Sequence, residues 1–330
     1  MKNRRGFLII SFALLLLVSF GCQKDGGSSN NTEEKRKVFT TIYPIQFIIE
    51  EVAAEIVEVE TIYPPGADAH TFEPTMKDMT EIATSDAFIY FGPTMEGFVK
   101  SAAEALDGEV VQLFSLEEQE ELFTNDNGEE IVSEHVDEHD DEGRDHEDHD
   151  HDGHDHGGRN PHVWIDPLRM ITMTNIVTEQ LIEIAPDHEA LFNRNKEDLI
   201  NRLEELDDLF VSEMAKKEDK YLIVPHAAYG YWEERYGIEQ IAISGLSPSE
   251  EPSQKYLAEI IMKADELGIN YLFYEQNTPD KLIEIIKDEI NADAYTIHNL
   301  SVLTDNDIEN EEDYISLMEE NIQILSEAFN

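Results

Sequence analysis

The sequence predicts an α/β protein of two (β/α) lobes with parallel sheets, joined by one long helix. Short β-branched apolar runs alternate with helix-period segments through the first third of the 330 residues. A long helical pattern then covers residues 171–217, with a break near Pro186, and the strand–helix alternation resumes beyond it. Strands separated by helices read as βαβ units, because a crossover helix is what returns the chain to the next parallel position in a sheet.

In chain order, residues 38–43, 57–63, 87–92 and 110–114 read as strands, and 45–56, 75–84 and 95–106 carry helical spacing between them. After Pro186 the apolar stripe Leu191, Leu199, Leu203, Leu206 and Phe210 runs among charges. It predicts a helix of about 25 to 30 residues, about 40 Å long and able to bridge two lobes. Strands are expected at 221–224, 238–243, 271–275 and 295–300, and helices at 253–267, 281–290 and 313–329. The resulting partition is a leader at 1–22, a tether at 23–36, an N-terminal lobe at 37–186, a linker helix at 187–217 and a C-terminal lobe at 218–330. Two such lobes leave a cleft, and in open α/β sheets ligands gather outside the carboxyl ends of the strands.

Lys2, Arg4 and Arg5 precede an apolar run over 7–18 that is too short to span a bilayer, which marks a secretory signal peptide. The only cysteine, Cys22, ends Ser19-Phe20-Gly21-Cys22, where a bacterial lipoprotein is cleaved and acylated. Ser19 and Phe20 depart from the usual lipobox residues. The Gly/Ser/Asn-rich stretch that follows has the composition of a flexible tether. A lipid-anchored protein on the extracytoplasmic face of the bacterial membrane is therefore expected. The formal charge of −50 repels nucleic acid and anionic lipid and gathers cations, so a cationic ligand is the natural inference.

Residues 134–156 hold twelve acids, seven histidines and one arginine within an acidic loop over 117–159. The histidines are His135, His139, His146, His149, His151, His154 and His156. Imidazole and carboxylate are donors for zinc and its neighbours in the first transition row, and acid alone would serve solubility. An auxiliary metal-collecting tract is expected here.

Four further residues are candidates for a fixed site. His70 follows Tyr63-Pro64-Pro65-Gly66, a stiff turn that can hold one imidazole in a cleft. His162 lies in Asn160-Pro161-His162-Val163-Trp164, just before a helix start at Asp166-Pro167. His226 ends an apolar strand, and Glu275 ends another. Each alone is more often a satisfied surface or core residue than a ligand. Three histidines and a carboxylate at strand ends of facing lobes favour a metal site, and imidazole donors make binding weaken below about pH 6.5. His188 and His298 belong to no motif, Trp164 and Tyr229 are placed to keep the histidines dry, and Glu96 is a candidate support for His70.

The segments 66–74, 160–164, 224–229 and 273–275 resemble, in order, the ligand segments of the metal-binding solute-binding proteins of ABC importers, the zinc-specific branch in particular. The resemblance covers nearly the whole chain. It implies a rigid linker helix, one Zn2+ held between the lobes by His70, His162, His226 and Glu275, and delivery to an ABC permease and its ATPase by a monomeric, non-enzymatic carrier. The histidine-rich loop before the second ligand belongs to zinc-binding members. Manganese and iron carriers of the same fold have a glutamate where this chain has His226, and an aspartate beyond the fourth strand. Asp280 falls one residue later than those relatives imply, so the fourth ligand is the least fixed. Nitrogen-rich coordination favours zinc over manganese. The alternatives are a manganese or iron carrier, a secreted zinc hydrolase with Glu275 as general base, and an added role as an extracellular adhesin. No His-Glu-x-x-His motif supports the hydrolase.

Overall fold

A computed structural model describes residues 35–329 apart from 107, 109–111, 125–158, 250 and 277–280. The leader with Cys22, the tether up to residue 34, the seven clustered histidines and Asp280 lie outside the described residues.

The first half builds a four-stranded parallel sheet from β1 (Arg36–Thr40), β2 (Val57–Thr61), β3 (Ala87–Tyr90) and β4 (Gln112–Ser115), in the order β2-β1-β3-β4. Its inner strands are apolar on both faces because helices cover them: Val38, Phe39, Phe88 and Ile89 are all buried. The crossovers are α1 (Tyr43–Ala53), α2 (Met76–Ala83) and α3 (Val99–Leu106). The expected start of α1 at residue 45 moves to Tyr43, because Pro44 is pre-organised for a first helical turn. Thr75 and Asp78 close a capping box at the head of α2.

Other bounds also differ in this half, β1 ending at Thr40 where a strand to residue 43 was expected, since Tyr43 already opens α1. β2 stops at Thr61, short of residue 63, because the chain turns away into Pro64 and Pro65, which have no N–H to offer a ladder. The helix expected from residue 95 starts at Val99. Met95 and Glu96 instead donate their N–H groups to Gly92 O in a turn that buries the Glu96 side chain.

Asp166 caps α4 (Pro167–Ile184) by accepting from Leu168 N, with Pro167 in the first turn. A 3-10 turn, Pro186–His188, separates it from α5 (Glu189–Met214), a helix of 26 residues and about 39 Å. This helix ends at Met214, three residues before 217. Phe192, Leu199, Leu203, Leu206, Phe210 and Met214 are its buried stripe; Leu191, placed on that stripe by spacing, is only partly buried. α5 packs against α1, α4 and α10 (Tyr314–Ala328).

The second half contains two parallel strand pairs, β5 (Tyr221–Val224) with β6 (Glu239–Ala242) and β7 (Tyr271–Glu275) with β8 (Asp293–Ile297); β5 runs beside β7. The helices are α6 (Gly230–Tyr236), α7 (Gln254–Leu267), α8 (Lys281–Ile290), α9 (Asp305–Glu309) and α10. The short helices α6 and α9 are not expected from periodicity. The last strand, expected at 295–300, lies two residues earlier and stops at Ile297, since Leu300 adopts a left-handed φ of 64° that no strand accommodates. Among the described residues no helix is long and apolar enough to cross a membrane.

The halves share one continuous apolar core and are stitched by directed hydrogen bonds. Tyr43 N donates to Ser301 O and Gly66 N to Leu303 O. Tyr231 Oη donates to Asn160 O, Trp232 Nε1 to Ile165 O, Trp164 Nε1 to Asn299 O and Tyr314 Oη to Trp164 O.

Candidate metal centre

The loop after β2 begins with a tight turn in which Ala67 N donates to Pro64 O at 3.1 Å. Pro65 and Gly66 are its central residues, and Gly66 takes φ 74°, the combination that a type II turn requires. Asp68 then accepts from His70 N and Thr71 N through one carboxylate oxygen, at 2.9 and 3.1 Å. Behind the loop, Tyr63 Oη donates in the direction of both Ala69 O and Glu96 Oε1, and Phe72 and Phe98 pack edge-on against the Tyr63 ring. Glu96 therefore reaches His70 only through Tyr63 and the Ala69 carbonyl. It is fully buried, and burial pushes its carboxyl up to about 7 against the hydrogen bonds it accepts.

His162 is positioned by a related device. Asn160 Oδ1 accepts from His162 N at 3.0 Å and from the ring Nδ1 at 2.8 Å. A backbone N–H can only donate, so this oxygen assignment is fixed. The ring proton then resides on Nδ1, and Nε2 presents its lone pair. That Nε2 lies 3.2 Å from His70 Nε2. Asn160 itself is held by Tyr231 Oη on its carbonyl.

His226 lies two residues past β5, and its ring centroid is 5.6 Å from that of His70 and 5.2 Å from that of His162. One ligand nitrogen from each of the three histidines lies within 4.8 Å of the others. Glu275, the last residue of β7, brings Oε1 to 2.7 Å from His226 Nδ1. Despite that approach neither atom has a properly directed hydrogen bond, and both are buried. Buried polar atoms that face each other without a hydrogen bond suit a shared third centre. The other oxygen, Oε2, accepts from Asn299 Nδ2 at 2.8 Å.

The charges fit a cation. Burial, reinforced by the neighbouring His226, lowers His70 to about 4, and burial with both neighbours holds His162 well below the usual imidazole value. These two rings are neutral at pH 7, with lone pairs available. Burial pulls His226 down as well, but the Glu275 carboxylate outweighs it and leaves this ring above the ordinary value. The three histidine nitrogens form a group that suits zinc, and the Glu275 carboxylate lies against the third ring.

Trp164 stands edge-on to His162 at 5.3 Å and is fully buried. Tyr229 is fully buried too, packs on Trp232 at 4.8 Å, and has no partner for its hydroxyl. Trp164 thus packs beside a histidine, as its sequence position suggests, whereas the recorded ring contact of Tyr229 is with Trp232. His298 and His188 stand outside the cluster. His298 Nε2 pairs with Asp307 at 3.1 Å and its Nδ1 accepts from Leu300 N, a satisfied core histidine just past β8. His188 ends the 3-10 turn beside Phe192 and is half-buried. Sequence reasoning missed Asp68, Asn160 and Asn299 as positioning groups. For the first two a signal existed, an Asx residue two places before each histidine.

The profile of the family described as zinc-uptake complex component A, periplasmic (ZnuA), matches residues 38–328. The zinc-binding lipoprotein AdcA of Streptococcus pneumoniae (strain ATCC BAA-255 / R6) is 31% identical over 321 residues, 97% of this chain and 60% of that protein. The chain thus spans about 60% of the length of this relative. The high-affinity zinc uptake system protein ZnuA of Bacillus subtilis (strain 168) is 29% identical over 328 residues, 99% of this chain and 98% of that protein. Among solved structures, the Zn(II)-bound ZnuA-like domain of S. pneumoniae AdcA superposes with a TM-score of 0.69 at 27% identity, covering 90% of this chain and 99% of that domain.

Proposed function

Because the chain belongs to the ZnuA family of zinc-uptake components, we propose that it is the extracytoplasmic zinc-binding component of an ABC importer, which delivers Zn2+ to a membrane permease and its ATPase. His70, His162, His226 and Glu275 are the ligands in this reading. The observation that carries it is the convergence of three imidazole nitrogens within 4.8 Å, with the Glu275 carboxylate against the third. A His3Glu shell has no position left for a catalytic water, which supports a carrier over a hydrolase. Three nitrogens also favour zinc over manganese on the same fold. In the same reading the protein is a monomer anchored by an acyl chain on Cys22, and α5 is the linker between lobes at 37–186 and 218–330.

The residues 134–156 act as an auxiliary zinc collector for this site. Their carboxylates and imidazoles raise the local zinc concentration close to His162 in the chain and bind ions weakly and in exchange. Calorimetry with zinc in competition with manganese tests both parts. One tight ion preferring zinc, plus several weak ones, is expected. Deleting 134–156 should remove the weak phase and leave the tight affinity within about threefold; loss of the tight phase instead would reverse the assignment.

The pH dependence of the tight phase follows from the imidazoles. His226, raised above the usual value, carries a proton in the metal-free protein below neutrality, so zinc must displace it. His70 and His162 are already neutral there and release none. Apparent affinity should therefore fall about tenfold per pH unit between about pH 6.5 and 5, and steepen only towards pH 4 where His70 protonates. Three ordinary histidines would give about a thousandfold per unit, and that slope, from a chelator-competition series, would contradict the electrostatic account.

A further inference from the structure

Asn299 lies 24 residues beyond Glu275 in the sequence, yet its amide is the partner of the Glu275 carboxylate. Its Oδ1 accepts from Gln276 Nε2, Ser301 N and Ser301 Oγ at 2.9, 3.1 and 2.8 Å. One of these donors is a backbone N–H, so Oδ1 cannot exchange places with Nδ2, and the Nδ2 donor is committed to Glu275 Oε2. The backbone is fixed as well. Asn299 N donates to Gln276 Oε1, and its carbonyl accepts from Trp164 Nε1, the indole beside His162. Nearby, Leu303 O accepts from Gly66 N in the loop that carries His70.

We propose that Asn299 is a positioning residue that holds Glu275 as a one-oxygen donor and so enforces four-coordination at the metal site, discriminating zinc from larger-shell cations such as manganese. The inference rests on the reading of His70, His162, His226 and Glu275 as ligands. With Oε2 retained by the Asn299 amide, only Oε1 faces the histidines. Two-oxygen coordination would require Oε2 to leave Asn299, whose donor would then be stranded. Three nitrogens and one oxygen make a tetrahedral shell, which zinc accepts and manganese, with its preference for octahedral oxygen coordination, does not.

Co2+ is the probe, since its visible absorption is intense in a tetrahedral site and weak in five- or six-coordination. The full chain, stripped with chelator, is loaded with Co2+ and separately titrated with zinc against manganese. The native protein should give the intense tetrahedral bands. Asn299→Ala should weaken them and lower the zinc-over-manganese preference about tenfold or more, the scale on which outer groups act on a metal site. Asn299→Asp keeps the shape and the acceptor oxygen but loses the donor, and should act in the same direction. Gln276→Ala, which removes the two side-chain bonds that orient Asn299 but leaves those from Ser301, should give a smaller change of the same sign. These two variants decide the matter if Asn299→Ala does not fold. Folded variants with unchanged cobalt bands and a preference within threefold of native would overturn the proposal. A native protein that takes up neither Co2+ nor zinc would instead defeat the ligand assignment on which it rests.

Discussion

Replacing His162 by alanine is expected to weaken zinc binding at the tight site about a thousandfold, equivalent to about 4 kcal/mol. This imidazole is buried, its tautomer is fixed by Asn160, and its Nε2 faces His70 at 3.2 Å. Water is a poorer donor for zinc than this imidazole, whose ring is also held edge-on by the buried Trp164. His226→Ala should cost a similar factor and also leave the Glu275 carboxylate buried without its neighbour. Glu275→Ala should cost less, since water replaces an oxygen donor more readily than an imidazole. Competition titration against a chromophoric chelator measures all three. Affinity within threefold of native in both histidine variants would show that the cluster is not the zinc site.

Trp164→Ala should destabilise the metal-free protein by about 4 kcal/mol, the cost of removing a large aromatic from a well-packed interior. The indole is fully buried between His162 and Phe91, with ring centroids 5.3 and 5.8 Å away. Its Nε1 donates to Asn299 O across the two halves of the chain. Trp164→Phe separates the contributions: it keeps much of the packing but leaves that carbonyl unpaired, for about 1–2 kcal/mol. Urea unfolding of chelator-treated protein gives both values. A loss below about 1.5 kcal/mol for the alanine variant would mean that the neighbourhood collapses to fill the space.

The four ligand candidates were legible because each sits at a break in a local pattern. Glu275 ends an apolar strand, His226 lies two residues past one, and His70 follows a Pro-Pro-Gly turn whose geometry the residues themselves impose. The 26-residue α5 was equally legible, since a stripe repeated over many turns outweighs local noise. What failed was decided at a distance. The last strand stops at Ile297 because the following residues cross to the first half, where Tyr43 and Gly66 donate to them. Asn299 could not be matched to Glu275 from spacing, because only the parallel pairing of β7 with β8 brings the two strand ends together. Glu96 meets Tyr63, which also bonds the Ala69 carbonyl beside His70, and that placement depends on the turn that replaced the first residues of the expected helix. Asp68 and Asn160 were within reach of sequence reasoning, as short polar side chains that fold back on the N–H two residues on.

Anomalous diffraction at the zinc edge from zinc-loaded crystals would locate the ion proposed among His70, His162, His226 and Glu275. One strong peak is expected at about 2.0–2.1 Å from a nitrogen of each histidine and from Glu275 Oε1, with Oε2 still on Asn299. A strong peak elsewhere, or an ion at this site completed by water while Glu275 remains against His226, would contradict the assignment.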